Sequence, residues 1–189
     1  MKIFLFSTGF SDFVIELANS LSVDHKVILT LPGDRIRTKE YISFLSDEVI
    51  FEPLKLPRLR DIIGNLHFVK NTINLIHKHN PDVIHIQSHG HMLFFLISLF
   101  TKKPIVNTIH DAKPHYGDLH TKSYKIAPLF GNLFSKHFIT HSEYTKRVLV
   151  RNSKIQPTKV SVVPLSNPFK QQKNGNHGAG LEKKKVLFM

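Results

Sequence analysis

The chain contains no cysteine. That excludes a disulfide framework and thiolate chemistry, and it permits a reducing compartment. Acidic residues run out along the chain. After Lys122 only Glu143 and Glu182 are negative, and the formal net charge is +12. Such an excess favours anionic partners such as nucleic acid, lipid headgroups or phosphorylated substrates, and a solvated basic surface accounts for it equally well. Zinc-finger spacing and RNA-reading aromatic motifs are missing, so no nucleic-acid partner is expected. Long hydrophobic runs are missing too. The most apolar stretch, Met92 to Phe100, falls well below the roughly 18 residues of a membrane span and reads as a buried helix. The opening "MKIFLFS" is a short apolar run with no small-residue cleavage site behind it. It predicts no secretory leader and a cytoplasmic location.

What is present is enough for one sizeable core: 189 residues with 41% hydrophobic content. Short β-rich runs are expected at Lys2–Phe6, Lys26–Leu31, Glu48–Phe51, Asp82–Ile86, Ile105–Ile109, His137–Thr140 and Lys159–Val163. Several are continuously apolar, as in strands covered on both faces. Helical patterns lie between them. Ser11 reads as an N-cap with Asp12 in the first turn, and Val14, Leu17, Ala18 and Leu21 recur on one face. Leu66, Val69, Ile73 and Ile76 form a second stripe, stopped near Asn80-Pro81. Ser142 is a further N-cap candidate, ahead of Tyr144 and Val148. This alternation predicts an α/β fold: a Rossmann-like, doubly wound parallel sheet with helices on both faces.

Ligands of such sheets bind beyond the carboxyl ends of the strands, where the strand order reverses. With the order 3-2-1-4-5, three segments meet there: Ser7–Asp12, Gln87–Met92 and His110–His115. Gly9 precedes a helix N-terminus, a place that suits a phosphate, and a tight turn with positive φ at Gly9 explains it equally well. His85, His89 and His91, with His110, Asp111 and His115, have the ligand types for zinc or manganese. They support a rival reading as a metal-dependent α/β hydrolase. Against it, His89-Gly90-His91 lacks acidic partners, and His85 faces away from its strand neighbours. The segment Glu52–Ile63 mixes leucines with Lys55, Arg58 and Arg60 around two prolines. It suits an interfacial segment on an anionic membrane, or a loop over the sheet edge. Beyond Pro168, residues 170–182 have linker composition, and 183–189 open a strand pattern. The expected organisation is a domain over 1–169, a linker over 170–182, and at 183–189 the first strand of a second domain.

The whole chain resembles the N-terminal, acceptor-side domain of a retaining, family 4-type glycosyltransferase of the GT-B fold. Four pieces carry the resemblance. "MKIFLFSTGFSDFVIELANSLSVDHKVILTLP" is similar to the family's first strand, glycine loop, helix and second strand. "NPDVIHIQSHGHMLFFLISLFTKKPIVNTIHD" is similar to its fourth strand, buried helix and fifth strand, and "HDAKPH" to an H-D-x-K-P-H segment after that strand. "FITHSEYTKRVLVRNSKIQPTKVSVVPLSNP" resembles its S-E-x-x-K helix and exit strand, and "KKKVLFM" the start of the C-terminal domain.

The resemblance implies sugar transfer from a nucleotide-sugar to a glycan or lipid-linked acceptor, with retention and without a metal or other cofactor. The family's paired donor-site glutamates, E-x7-E, belong to the C-terminal domain, so the segment alone is expected to be inactive, and a non-catalytic acceptor-binding module is the further alternative. His110 and Asp111 fall at the catalytic position. A hydroxyl nucleophile needs a group of moderate pKa nearby to take or steer its proton. Asp111 would orient His110, bind a sugar hydroxyl, or cap a turn. Ser11, Asp12, His89, Lys113 and His115 are the acceptor-binding candidates, and Gly9 and Phe10 the donor-phosphate loop. The family usually has two adjacent glycines there, so Gly9-Phe10 is a departure.

Overall fold

A computed structural model describes residues 1–34, 36–58, 60–87, 97–111 and 133–165. Its seven strands are β1 (Lys2–Ser7), β2 (Lys26–Thr30), β3 (Ile50–Phe51), β4 (Val83–Gln87), β5 (Ile105–Ile109), β6 (Ser135–Thr140) and β7 (Val160–Val162). The described helices are α1 (Ser11–Ser22), α2 (Ile36–Tyr41), α3 (Ile62–His79) and α4 (Glu143–Ser153). The strands form one sheet in the order β3-β2-β1-β4-β5-β6-β7. Every pairing in it is parallel. The expected doubly wound, Rossmann-like architecture is the one observed, with the order reversing between β1 and β4.

The apolar strands are continuous because both faces are covered. On one face Leu5, Val27 and Leu29 pack under Val14, Ile15 and Ala18 of α1. On the other, Phe4, Phe6, Ile28, Ile84 and Ile86 pack under Phe68, Val69 and Ile76 of α3. Side chains alternate across a strand, so one β1 run feeds two cores. Further along, Phe138 of β6 and Val160 of β7 pack with Leu149 of α4.

Local chemistry sets the helix ends, with two departures from expectation. Ser11 is not the N-cap of α1. Phe10 takes that position in the left-handed region (φ 54°, ψ 44°), and Ser11 is the first helical residue, buried. The buried stripe of α3 contains Phe68, Val69, Thr72 and Ile76, whereas Leu66 is exposed. The helix starts at Ile62, where Asp61 Oδ1 accepts from Gly64 N at 2.8 Å. A Cβ on residue 64 would collide with that carboxylate. Asn80, left-handed at φ 45° ahead of Pro81, ends the helix where the stripe stops. Ser142 caps α4 as expected, accepting from Thr145 N at 3.1 Å. Tyr144 is exposed and Leu149 supplies the buried contact of α4. The linker and second-domain segments, 170–182 and 183–189, lie outside the described residues.

Phe4 is completely buried between β2, β4 and α3. Phe4→Ala should lower unfolding free energy by about 3–5 kcal/mol in urea titration. A loss below about 1 kcal/mol would contradict the two-faced core.

Candidate functional site at the strand ends

The loop after β1 is tied to the end of β4. Ser7 is fully buried, and its hydroxyl lies 2.6 Å from Gly9 O and 2.7 Å from Gln87 O. The same oxygen accepts from Gly9 N at 3.2 Å. The positive φ of this turn falls on Phe10, not on Gly9. A phenylalanine held there is strained by roughly 1–2 kcal/mol. Its ring stacks on the imidazole of His110, centroids 4.4 Å apart and planes 22° apart. A side chain at Gly9 would meet open space, so the backbone there is approachable.

His110 directly follows β5 and continues the alternation Val106, Thr108, His110. In register beside it, His85 of β4 pairs with Val106 and Gln87 with Thr108. These alternate positions place a buried polar layer on the sheet face covered by α1. His85 Nε2 lies 2.8 Å from Thr108 Oγ1. The Gln87 carboxamide bridges two imidazoles, with Oε1 2.9 Å from His110 Nε2 and Nε2 3.3 Å from His85 Nε2. His141, just past β6, completes the group. Its ring centroid is 4.7 Å from that of His110, and its Nδ1–H donates to Val163 O at 2.8 Å. Phe13 of α1 sets its ring edge-on to both, 5.8 Å from each.

Burial, reinforced by the charge His141 would carry, pushes His85 down to about pKa 4, so it is neutral at pH 7. This ring is within hydrogen-bonding reach of the Gln87 amide. Among the described residues no three His, Cys, Asp or Glu side chains stand close enough to hold a metal ion. His89, His91 and His115 lie outside the described residues.

The structure therefore joins Gly9, Phe10 and His110 at one rim. Ser11 is buried at the start of α1, Asp12 is half-buried in its first turn, and Asp111 is half-buried after His110. Lys113, like His89 and His115, falls outside the described residues. Sequence reasoning missed Gln87, Thr108, Phe13 and His141 as members of the site. The signal was available: polar residues two apart near the ends of apolar strands, His85/Gln87 and Thr108/His110, mark one face of a polar layer.

A parallel sheet in this order, with the loop after β1 and His110 at the switch point, has the architecture of the N-terminal half of a GT-B enzyme. A glycosyltransferase from Rickettsia africae superposes with a TM-score of 0.62 at 20% identity, over 91% of this chain and 48% of that one. Anabaena HepE, solved with UDP and glucose, gives 0.66 at 16%, over 92% and 50%. The UDP-GlcNAc 2-epimerase of Neisseria meningitidis, bound to UDP-GlcNAc, gives 0.64 at 14%, over 86% and 45%. The chain spans about half the length of these solved structures, and at such identities the likeness is one of fold. The family model described as Glycosyltransferase Family 4 matches residues 8–165, and the chain belongs to that family. No curated protein matches it.

His85 has a lowered pKa when folded, so the unfolded chain binds more protons between about pH 6.5 and 4. Its contribution is full above pH 6.5 and is lost as pH falls toward 4. Replacing it with glutamine should flatten unfolding free energy over that window by about 3 kcal/mol relative to wild type. Parallel curves for the two proteins would show that His85 is not held neutral.

Proposed function

We propose that this segment is the acceptor-side half of a retaining glycosyltransferase, which moves a sugar from a nucleotide-sugar to a glycan or lipid-linked acceptor. The observation that carries the proposal is the convergence, within a family 4 chain, of the loop after β1 and the imidazole of His110 on one strand-end rim. HepE with UDP and glucose, and the epimerase with UDP-GlcNAc, support a nucleotide-sugar as the donor. In this reading the acceptor hydroxyl lies beside His110, with Asp111, Ser11, Asp12, His89, Lys113 and His115 as further acceptor contacts. The donor diphosphate meets the open backbone of Gly9 and Phe10 at the start of α1, where a helix N-terminus favours negative charge. The donor itself is held by a second domain, so this segment alone does not turn over. No metal or cofactor takes part. Closure of two domains would exclude water and align the reacting atoms.

We further propose a cytoplasmic protein, peripheral on the inner face of an anionic membrane. No described helix is long and apolar enough to cross a membrane. The leucines expected in the headgroup boundary are placed differently: Leu54 is buried and Leu56 packs against the same core. The exposed apolar side chains of this region are instead Ile62, Ile63 and Leu66, 73%, 69% and 63% exposed at the start of α3. Lys55, Arg58, Arg60 and Lys70 are exposed along the chain around them. Aliphatic side chains ringed by cations suit an anionic lipid surface.

The catalytic reading is tested with nucleotide-sugars and candidate acceptors on a chain that includes the donor-binding half. His110→Ala should lower transfer at least about 100-fold while the chain still folds, as circular dichroism would show. Near-normal transfer would remove His110 from the chemistry, and hydrolysis abolished by chelator would favour a metal-dependent hydrolase. For the membrane reading, the chain should sediment with phosphatidylglycerol vesicles and not with phosphatidylcholine vesicles. Replacing Ile62, Ile63 and Leu66 together with serine should release it. Retention on the vesicles after that change would place the contact elsewhere.

A further inference from the structure

Just past β7 the chain leaves the sheet, and a single side chain holds it at that point. Val163 follows the strand, and Pro164 and Leu165 beyond it are exposed. Val163 N donates to Thr140 O at 2.8 Å, which carries the parallel register of β6 and β7 one step further. In a parallel ladder, a residue that donates to one residue of its neighbour accepts from the N–H two residues further on. For the carbonyl of Val163 that donor would be Ser142. Ser142 instead opens α4, its hydroxyl accepting from Thr145 N and its carbonyl from Lys146 N. Among the described residues no main-chain N–H reaches Val163 O. The imidazole of His141 supplies the missing donor, with Nδ1 2.8 Å from that oxygen.

A carbonyl oxygen only accepts, so Nδ1 carries the proton and the neutral ring has its lone pair on Nε2. The surroundings of Nε2 agree. It is buried and has no hydrogen-bond partner among the described residues. A buried acceptor without a donor is tolerated more often than a buried N–H without an acceptor. The opposite tautomer fails twice, because it sets a lone pair against the Val163 carbonyl and buries an unpaired N–H. The ring is also held from the side. Phe13 of α1 meets it edge-on at 5.8 Å, and the centroid of the His110 ring lies 4.7 Å away. One imidazole thus joins the end of β6, the exit of β7, the first turn of α1 and the strand-end rim.

We infer that His141 is a positioning residue that pins the exit of β7 to the candidate site through its Nδ1–H, so that the chain leaving the sheet starts from a fixed point at the rim. The inference deepens the proposed function and rests on it for its meaning. With the donor held by a second domain that follows β7, the exit point sets where the donor meets the rim. His141 needs no contact with either substrate for this, and the pin itself does not depend on that reading.

Two substitutions separate the pin from the bulk of the ring. His141→Asn keeps an N–H donor near the Nδ1 position, and His141→Gln moves it out toward the Nε2 position. Amide hydrogen exchange at Val163 should quicken at least about tenfold in His141→Ala and His141→Gln, and stay within about twofold of wild type in His141→Asn. A long-range proton–nitrogen spectrum of the 15N-histidine-labelled wild type at about pH 8, above the usual range of histidine titration, should show His141 with a protonated Nδ1 and a lone-pair Nε2. Its signals are identified by their loss in His141→Asn. On a chain that includes the donor-binding half, His141→Ala and His141→Gln should lower kcat at least about tenfold with the nucleotide-sugar KM within about twofold, and His141→Asn should restore kcat. A proton on Nε2 overturns the inference, and so does exchange or kcat that fails to separate His141→Asn from His141→Gln. If the wild type transfers no sugar, the proposed function fails, and exchange and spectrum still decide the pin. Should the variants fail to fold, as circular dichroism would show, the wild-type spectrum decides alone.

Discussion

One buried carboxamide, that of Gln87, connects the core of this sheet to its rim. Its main-chain carbonyl receives Ser7 and so ties the glycine loop to β4. Its side chain bridges a neutral, enclosed His85 to His110. A buried amide leaves little freedom, because each unmet polar atom would carry a desolvation penalty of about 1–3 kcal/mol. His110 is thus held from beneath by hydrogen bonding and from the side by the Phe10 ring, whose backbone is strained to reach it. Strain retained beside a held imidazole agrees with the proposed site, since such strain collects where geometry is fixed for function.

Much of the fold was legible. Continuous apolar runs such as Phe4-Leu5-Phe6 have no alternative but to be covered on both faces, and each of the seven runs became a strand of one parallel sheet. Once the sheet order is known, the edge that carries His110 follows, since residues after β5 emerge at the same end of the parallel sheet as the loop after β1, with β4 between them. Helix ends were less legible. Ser11 has the chemistry of an N-cap, yet Phe10, stacked on His110, holds that position one residue earlier. Of the stripe Leu66, Val69, Ile73 and Ile76, Val69 and Ile76 are buried and Ile73 packs on the core, while Leu66 near the start of α3 is exposed.

The roles of Gln87, Thr108 and His141 were hidden for a different reason. Their partners are far away in the chain: Gln87 and His110 are 23 residues apart, as are His85 and Thr108. Pattern reading detects what repeats nearby along the chain. A hydrogen bond across strands depends on register, which only the assembled sheet supplies. The polar pairs two apart in β4 and β5 were the trace of that layer.

Fold and family membership agree on the N-terminal domain of a GT-B glycosyltransferase, and sugar transfer with this segment on the acceptor side is the function proposed for it. The central claim is geometric: the ring of His110 stands on Gln87 and under Phe10 at the switch point of the sheet. A crystal structure of the chain tests it most directly. The account expects His110 Nε2 within hydrogen-bonding distance of the Gln87 amide and Phe10 at positive φ, stacked on the imidazole. A His110 ring turned away from Gln87, with Phe10 in an ordinary helical or extended conformation, would contradict it.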